Sequence, residues 1–132
     1  MAEKRMLSKS IIDSDDFIAM PVSARMFYID LAIRADDDGF IAPRRVMRMT
    51  GASDDDLRCL IAKRYVIPFN TGVLVISHWL IHNTLRKDSY KPTLYIREKG
   101  LLRIPSKHSP DRTYKVCESS YDADVYPLLD YK

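Results

Sequence analysis

Residues 42–64 contain two helix starts and one helix stop, and this arrangement constrains the fold more than any other feature. Pro43 suits the first position of a helix, because its missing N–H needs no partner there. Gly51 favours a stop, since glycine readily takes the left-handed conformation found at helix ends. Ser53 then begins a second helix, with Asp56 three residues later in the spacing of a capping box. Two short helices joined by a Gly-containing turn are typical of a helix-turn-helix, although an ordinary helical hairpin has the same pattern.

Each of the two predicted helices has an apolar face and a charged face. In the first, Val46 and Met49 are expected to face the core, and the outer face carries Arg44, Arg45 and Arg48. In the second, the buried stripe consists of Leu57, Leu60 and Ile61. The first turn of this helix places acids at the positive end of the helix dipole, and its far end carries bases: Asp54, Asp55 and Asp56, then Lys63 and Arg64.

The flanking sequence predicts the remaining elements of a small α+β domain. Apolar residues recur every three or four positions over residues 24–35, which predicts the longest helix. Two β-rich runs, residues 65–69 and 73–79, are joined by Asn-Thr-Gly and predict a hairpin with a three-residue loop. Residues 40–41 add a short third strand. This order of elements is that of a winged helix-turn-helix, with a three-helix core and a β-hairpin wing.

Length and composition indicate one soluble domain with a tail. The chain has 132 residues, 46% of them apolar and 30% charged. We expect the winged-helix domain at residues 1–100, including a short extra helix capped by Thr93. Residues 101–132 are expected to form a poorly patterned tail or interaction segment. No apolar run approaches the roughly 20 residues of a membrane span, and no signal peptide is visible. Two cysteines suggest no disulfide framework, so we expect reduced thiols and a cytoplasmic protein.

Charge is unevenly distributed along the chain. The net charge of +3 and the pI near 8.9 permit nucleic-acid binding without arguing for it. Residues 86–107 contain seven bases and two acids, whereas residues 108–132 contain three bases and five acids. A basic segment next to a helix-turn-helix is a candidate phosphate-contacting edge, although a solvated basic face has the same composition.

Two groups of polar residues raise the question of a metal site. The run Asp36–Asp38 precedes Gly39, and these residue types are typical of a turn that follows a helix. His78 and His82 lie in the sequence HWLIHN, which is expected to continue the second strand and lacks a third ligand. We therefore expect no bound metal, no cofactor and no catalytic residue. A Mg²⁺-dependent nuclease built on either group is the least favoured alternative.

Five segments together resemble the amino-terminal domain of phage replisome organisers, which are similar in organisation to DnaD-type replication initiation proteins of Gram-positive bacteria and their phages. They are residues 4–17 (KRMLSKSIIDSDDF), 34–40 (RADDDGF), 51–57 (GASDDDL), 78–83 (HWLIHN) and 86–93 (RKDSYKPT). The resemblance covers about residues 4–99. It implies a winged-helix domain that binds the phage replication origin in the host cytoplasm and helps to load the host helicase machinery. Longer members carry a further domain that engages the helicase or its loader.

The sequence and the resemblance together predict a DNA-binding protein that is not an enzyme. The expected contacts are basic residues of the helix-turn-helix and the following segment: Arg44, Arg45, Arg48, Lys63, Arg64, Arg86, Lys87 and Lys91. The expected partners are origin DNA and, as further alternatives, the host helicase or its loader and a second copy of this chain; no membrane is involved. A second hypothesis is a phage-encoded docking adaptor or inhibitor of a host protein, since Asp54–Asp56 and the acidic tail favour a protein partner.

Overall fold

The computed structural model describes residues 4–83, 89–106 and 111–117. Within these ranges the protein is a mixed α+β structure of short helices and two small antiparallel sheets. The elements in chain order are α1 (Lys9–Ile12), α2 (Asp15–Ile18), α3 (Val22–Arg34), β1 (Phe40–Ile41), α4 (Pro43–Thr50), α5 (Asp54–Ala62), β2 (Val66–Pro68), β3 (Leu74–Ile76), α6 (Trp79–His82), α7 (Ile96–Lys99), β4 (Leu102–Arg103) and β5 (Lys115–Val116).

The larger sheet has the strand order β1-β3-β2, with both pairs antiparallel. Strands β2 and β3 form the predicted hairpin, which is thereby confirmed. Its closing bond runs from Phe69 N to Val73 O at 2.8 Å, so the loop is the three residues Asn70, Thr71 and Gly72. Gly72 has a φ of 88°, the left-handed conformation that a three-residue hairpin loop needs. The predicted short strand at Phe40 is also present, opposite Val75.

Helix α3 is the centre of the core, and the predicted long helix with a buried apolar face is confirmed, with an earlier start. Its outer face is also partly apolar. Its buried face consists of Ala24, Phe27, Tyr28, Leu31 and Ala32. Helices α4 and α5 both pack on this face. The three rings of Phe17, Tyr28 and Tyr65 meet edge to face at 5.5–5.7 Å between centroids.

The α4–turn–α5 unit has the predicted boundaries. Gly51 follows α4 with a φ of 77°, and its N–H donates to Met47 O at 2.8 Å. Ser53 and Asp56 form the predicted capping box, each side chain accepting from the other residue's backbone N–H. The expectation that Met49 faces the core is wrong: its side chain is 58% exposed, and Met47 is buried instead. Positions 43, 46 and 47 share one helical face, since they are three and four apart.

Two local predictions after β3 are wrong. Residues 78–83 do not continue the strand; they form α6, a single helical turn closed by His82 N donating to His78 O. The Trp79 ring is buried in the core, and its Nε1 donates to Asp37 O at 2.9 Å. These contacts hold residues 79–82 outside the sheet. Thr93 is not the N-cap of the extra helix, because α7 begins at Ile96 and Tyr95 occupies the cap position. The Thr93 hydroxyl donates to Asp36 and accepts from Tyr95 N at 3.1 Å.

The chain beyond residue 100 contributes to the same core as the helices. Strands β4 and β5 pair, and Leu102 and Tyr114 are buried among the core residues. Tyr114 N donates to Ser77 O, and its hydroxyl donates to Asp38 O. The domain boundary predicted at residue 100 stays a prediction. The contacts of Leu102 and Tyr114 with the core cross this position. Among the described residues, no helix is both long enough and apolar enough to cross a membrane.

Candidate nucleic-acid interface

The outer face of α4 carries three exposed arginines, as the sequence predicts: Arg44, Arg45 and Arg48. No acid lies within this helix. Arg44 Nη1 is 2.5 Å from Asp54 Oδ1, and both side chains remain more than 60% exposed. An ion pair this exposed contributes little to stability and is screened by salt, so Arg44 can exchange Asp54 for another anion at small cost.

The acids in the first turn of α5 are engaged within the protein. Asp56 is buried: its carboxylate accepts from Ser23 Oγ at 2.6 Å and from Ser53 N at 3.0 Å. Burial raises the pKa of Asp56, but these hydrogen bonds outweigh it and hold the pKa below its usual value. Asp55 pairs with Arg58 at 2.9 Å. The acidic edge is therefore less repulsive to phosphates than the sequence suggests.

Lys63 and Arg64 lie at the other end of α5, and both side chains are exposed. The nine residues of α5 span about 13 Å, at 1.5 Å per residue, so these cations are separated from Asp54 by that length. Arg64 has a φ of 63°, and its carbonyl accepts from Ser77 Oγ at 2.9 Å, which fixes the backbone between α5 and β2. The predicted DNA-binding residues of these two helices thus form two groups, one on α4 and one at the end of α5.

The remaining predicted contacts lie elsewhere or outside the described residues. Lys91 has an exposed side chain, and its backbone N–H donates to Asp37 Oδ2 at 3.0 Å, which places it at the turn that follows α3. Arg86 and Lys87 fall outside the described ranges. The structure therefore brings three of the eight predicted residues together on α4 and two on the end of α5.

The hairpin loop offers no cation to a nucleic acid. Its three residues are Asn70, Thr71 and Gly72. Thr71 Oγ1 donates to Glu98 Oε2 at 2.6 Å, which ties the loop to α7. The candidate cations therefore lie on the helices and on the segment that follows the hairpin.

A groove of about 440 Å³ lies beside α4, and the sequence has no local pattern that indicates it. Its apolar lining includes Phe40, Ile41, Val46 and Met49. Its polar lining includes Arg34, Asp36, Arg45 and Tyr95. Because these residues come from four separate segments, only the folded chain assembles them. Arg45 consequently borders both the outer face of α4 and a cavity with an apolar wall.

The acidic run at residues 36–38 forms a turn, as predicted, and its carboxylates bind the protein itself. Asp36 Oδ1 accepts from the N–H groups of Asp38 and Phe40 at 2.9 and 3.0 Å. Asp38 Oδ2 accepts from Thr93 N at 2.8 Å and from the Tyr90 hydroxyl at 2.8 Å. Within the described ranges, no group of three potential ligands could hold a metal ion.

The middle acid of the turn is paired with the N-terminal segment. Arg5 Nη1 lies 3.0 Å from Asp37 Oδ1, with both side chains buried. Arg5 Nη2 donates to Ala35 O, and its guanidinium lies 5.2 Å from the centroid of the Trp79 ring. Burial raises the pKa of Asp37, while the Lys91 N–H and Arg5 outweigh it and lower the pKa. Arg5 is therefore a structural cation, and no sequence pattern distinguishes it from the surface arginines.

The two histidines are engaged in the core. His82 Nδ1 accepts from Ser8 N at 2.8 Å, and its Nε2 lies 2.6 Å from the Tyr28 hydroxyl. Burial, with a smaller contribution from His78, lowers the pKa of His82 to about 4. The His78 ring packs on Tyr65 at 5.3 Å between centroids. With both nitrogens of His82 occupied, this pair does not present a metal site.

Comparison with known proteins adds nothing to this geometry. No protein-family model, curated protein or solved structure matches the chain.

Proposed function

We propose that this chain is a winged-helix DNA-binding protein that acts in the initiation of phage DNA replication by binding the origin. The observation that carries the proposal is the order α3-β1-α4-α5-β2-β3, with sheet order β1-β3-β2 and three exposed arginines on α4. In this interpretation α3, α4 and α5 are the three-helix core, and the hairpin β2–β3 is the wing. The resemblance to replisome organisers supports origin DNA as the ligand.

The proposed docking mode differs from that of most helix-turn-helix readers, in which the second helix leads with its first residues on the bases. Here those residues are acids, so the phosphate contacts come from α4. Arg45 and Arg48 are exposed, and no ion pair engages either of them within the described residues. Arg44 joins them when a phosphate replaces Asp54. The Asp55 side chain is 86% exposed, so a cytosine amino group can replace Arg58 as its hydrogen-bond donor.

A second group of phosphate contacts is proposed at the far end of α5. Lys63 and Arg64 lie about 13 Å from the start of this helix, and the major groove is about 12 Å wide. Because the length of α5 is close to the width of one major groove, we propose that Lys63 and Arg64 contact the phosphate backbone on the side of the groove opposite the first turn of α5. Arg86, Lys87 and Lys91 extend the proposed surface along the segment after the hairpin.

The first test is fluorescence anisotropy with a labelled phage-origin duplex and a labelled random duplex over a range of salt concentrations. If six cations neutralise phosphates, log affinity falls with log salt at a slope of about −5. The double variant Arg45→Ala/Arg48→Ala is expected to bind more weakly and to reduce the slope by about 2. Lys9→Ala is the control, since Lys9 is an exposed cation on α1 and is not one of the proposed contacts.

Two results would count against this proposal. A slope near zero would remove the electrostatic contact with DNA altogether. A double variant that binds like the Lys9→Ala control would remove α4 as the contact surface. Tighter binding to the origin than to the random duplex is the result that supports initiation over general DNA binding.

The proposed cellular setting follows from the same resemblance. The protein acts in the host cytoplasm, and the host helicase or its loader is the partner that origin binding serves. Neither a cofactor nor a catalytic step is part of the proposal.

One observation favours a second candidate function, that of a docking adaptor or inhibitor of a host protein. Leu94 and Ile96 are 92% and 76% exposed, and Tyr95 between them lines the groove beside α4. Exposed apolar side chains beside a groove are typical of protein-binding surfaces. If this function holds, the chain binds neither duplex, and Leu94→Glu/Ile96→Glu abolishes its capture of a host protein from lysate.

A further inference from the structure

Helix α3 has a second apolar face, directed away from the core. Its members are Val22, Met26, Ile29 and Ile33, spaced four, three and four residues apart. Val22, Met26 and Ile33 are 71%, 53% and 55% exposed, and Ile29 is partly buried. At 3.6 residues per turn these four positions fall on one stripe, opposite the buried face that includes Phe27 and Leu31.

An exposed apolar stripe on a helix that already has a buried apolar face is unusual for a monomer. A surface helix normally has one apolar stripe facing the core and a polar face toward water, whereas a helix that is apolar all round is buried. In the described part of the chain, nothing covers the outer stripe of α3, since three of its four side chains are more than half exposed. The four-three-four spacing is that of the seam of a two-helix coiled coil.

The residues beside the stripe indicate what covers it. In the coiled-coil register, Arg25 and Asp30 are the charged flanking residues on the two sides, and Ser23 and Ala32 are the other flanking positions. When two such helices run parallel, a flanking residue faces the residue five positions later on the partner. Arg25 of each copy then faces Asp30 of the other, which makes two ion pairs related by the symmetry axis. An antiparallel pairing centred on the seam instead opposes Arg25 to Ala32 and Asp30 to Ser23, and it forms no ion pair between the two copies.

We infer that α3 pairs with α3 of a second copy of this chain, in parallel, about a two-fold axis that runs along the two helices. Each apolar seam covers the other, and each flank meets the opposite charge. The interface is isologous, so it closes at two copies. The two domains then lie on opposite sides of the helix pair, and α4 and α5 are outside the seam.

The size of the seam sets the strength of the dimer. Helix α3 has 13 residues and is about 20 Å long, which is short for a stable interface. However, α3 is already held as a helix by its core face, so association orders few additional groups. Arg25 Nε donates to Met20 O, which restricts this side chain before association. Asp30 pairs with Arg34 of its own helix, so Arg25 of the other copy joins or replaces this partner on association. We expect a dissociation constant in the micromolar range, with dimers that dissociate on dilution.

The first experiment is sedimentation equilibrium of the full chain without DNA, over a wide concentration range. The wild type is expected to pass from monomer to dimer as concentration rises. Met26→Glu is expected to raise the dissociation constant at least about tenfold, because a carboxylate is then buried in the seam. Leu94→Glu is the matched control, since Leu94 is 92% exposed and lies off α3. Circular dichroism confirms that each variant is folded.

The second experiment tests the parallel orientation through the flanking charges. Arg25→Glu alone and Asp30→Lys alone each place like charges opposite each other in a parallel pair, so each is expected to weaken the dimer about tenfold. The double variant Arg25→Glu/Asp30→Lys restores opposite charges and is expected to recover the wild-type dissociation constant.

Three results would overturn the inference. The first is a chain that stays monomeric at every concentration up to its solubility limit, in which case another partner covers the stripe. The second is a dimer whose dissociation constant is the same in Met26→Glu and Leu94→Glu, which places the interface elsewhere. The third is a double variant no tighter than the single ones, which excludes the parallel charge pairing. All three are read without DNA, so they are independent of the outcome of the DNA-binding test.

Discussion

At the residue scale, His82 shows how burial fixes one protonation state. Because Nδ1 accepts a hydrogen bond from Ser8 N, the neutral ring carries its proton on Nε2, which donates to the Tyr28 hydroxyl. A second proton on Nδ1 would face the N–H of Ser8 and break that bond. Burial further disfavours the cation, and the pKa falls to about 4.

This arrangement predicts a stability that depends on pH below neutrality. The unfolded chain binds a proton at His82 with a pKa near 6.5, and the folded chain does so only near 4. The contribution of the neutral ring is therefore complete above about pH 6.5 and is lost as pH falls toward 4. Because of His82, the free energy of unfolding measured with urea should be about 2 kcal/mol lower at pH 5 than at pH 7. Both pH values lie within or next to the range between the two pKa values.

The matched comparison is His82→Gln against His78→Gln. The pKa of His78 is also lowered by burial, partly opposed by Asp111, so this histidine contributes to the pH dependence in the same direction. The His82 variant is expected to lose most of the difference between pH 7 and pH 5. An unchanged pH dependence in His82→Gln would show that its ring is not held neutral in the fold.

At the element scale, the turn after α3 is built around a close contact between backbone and ring. Gly39 has a φ of 92°, and a Cβ placed there would lie 2.6 Å from Cγ of Trp79. Trp79 is fully buried and begins α6. The glycine thus lets β1 and α6 approach each other. This position requires a left-handed backbone and also has no room for a side chain.

Replacement of this glycine separates the two constraints. Gly39→Ala is expected to reduce the free energy of unfolding by at least about 3 kcal/mol, because it adds backbone strain and a clash with Trp79. Gly72→Ala is the control: its φ is 88°, but no atom lies within 4 Å of the new Cβ. That variant should lose only about 1 kcal/mol, from strain alone. Equal losses in urea unfolding would contradict the clash with Trp79.

At the scale of the whole molecule, the acidic turn joins segments that are distant in sequence. Asp37 binds Arg5 near the start of the described chain, and Asp38 binds Tyr90 and Thr93. Lys99 Nζ is 3.4 Å from Asp38 Oδ2. The N-terminal segment and the segment after the hairpin are therefore attached to the core through carboxylates that are themselves buried.

Removal of Asp38 tests whether this attachment is structural. Asp38→Ala leaves Thr93 N and the Tyr90 hydroxyl without their acceptor, and we expect a loss of about 3 kcal/mol. Amide hydrogen exchange at residues 89–99 should accelerate more than exchange in α3. Asp55→Ala is the control, because the Asp55 side chain is 86% exposed, and it should change stability by about 0.5 kcal/mol or less. An Asp38→Ala variant as stable as this control would contradict the structural role.

Local signals in the sequence predicted what depends on neighbouring residues. The cap at Ser53, the stop at Gly51 and the three-residue hairpin loop all follow from backbone preferences within a few positions, and all are present. The exposed arginines of α4 follow from helical spacing for the same reason. The direction of Met49 and the conformation of residues 78–83 were predicted wrongly, because each depends on what the rest of the chain packs against it.

The order and type of the main elements and the charge of α4 follow from local sequence, because caps, turns and hydrophobic spacing act over short distances along the chain. The role of each charged residue depends instead on the folded chain. Arg5 is buried against Trp79, Asp56 joins α5 to Ser23, and Asp38 holds the segment after the hairpin. The physical reason is that desolvation and ion pairing depend on neighbours that are far apart in sequence, so identical side chains acquire structural or exposed roles only when the chain is folded.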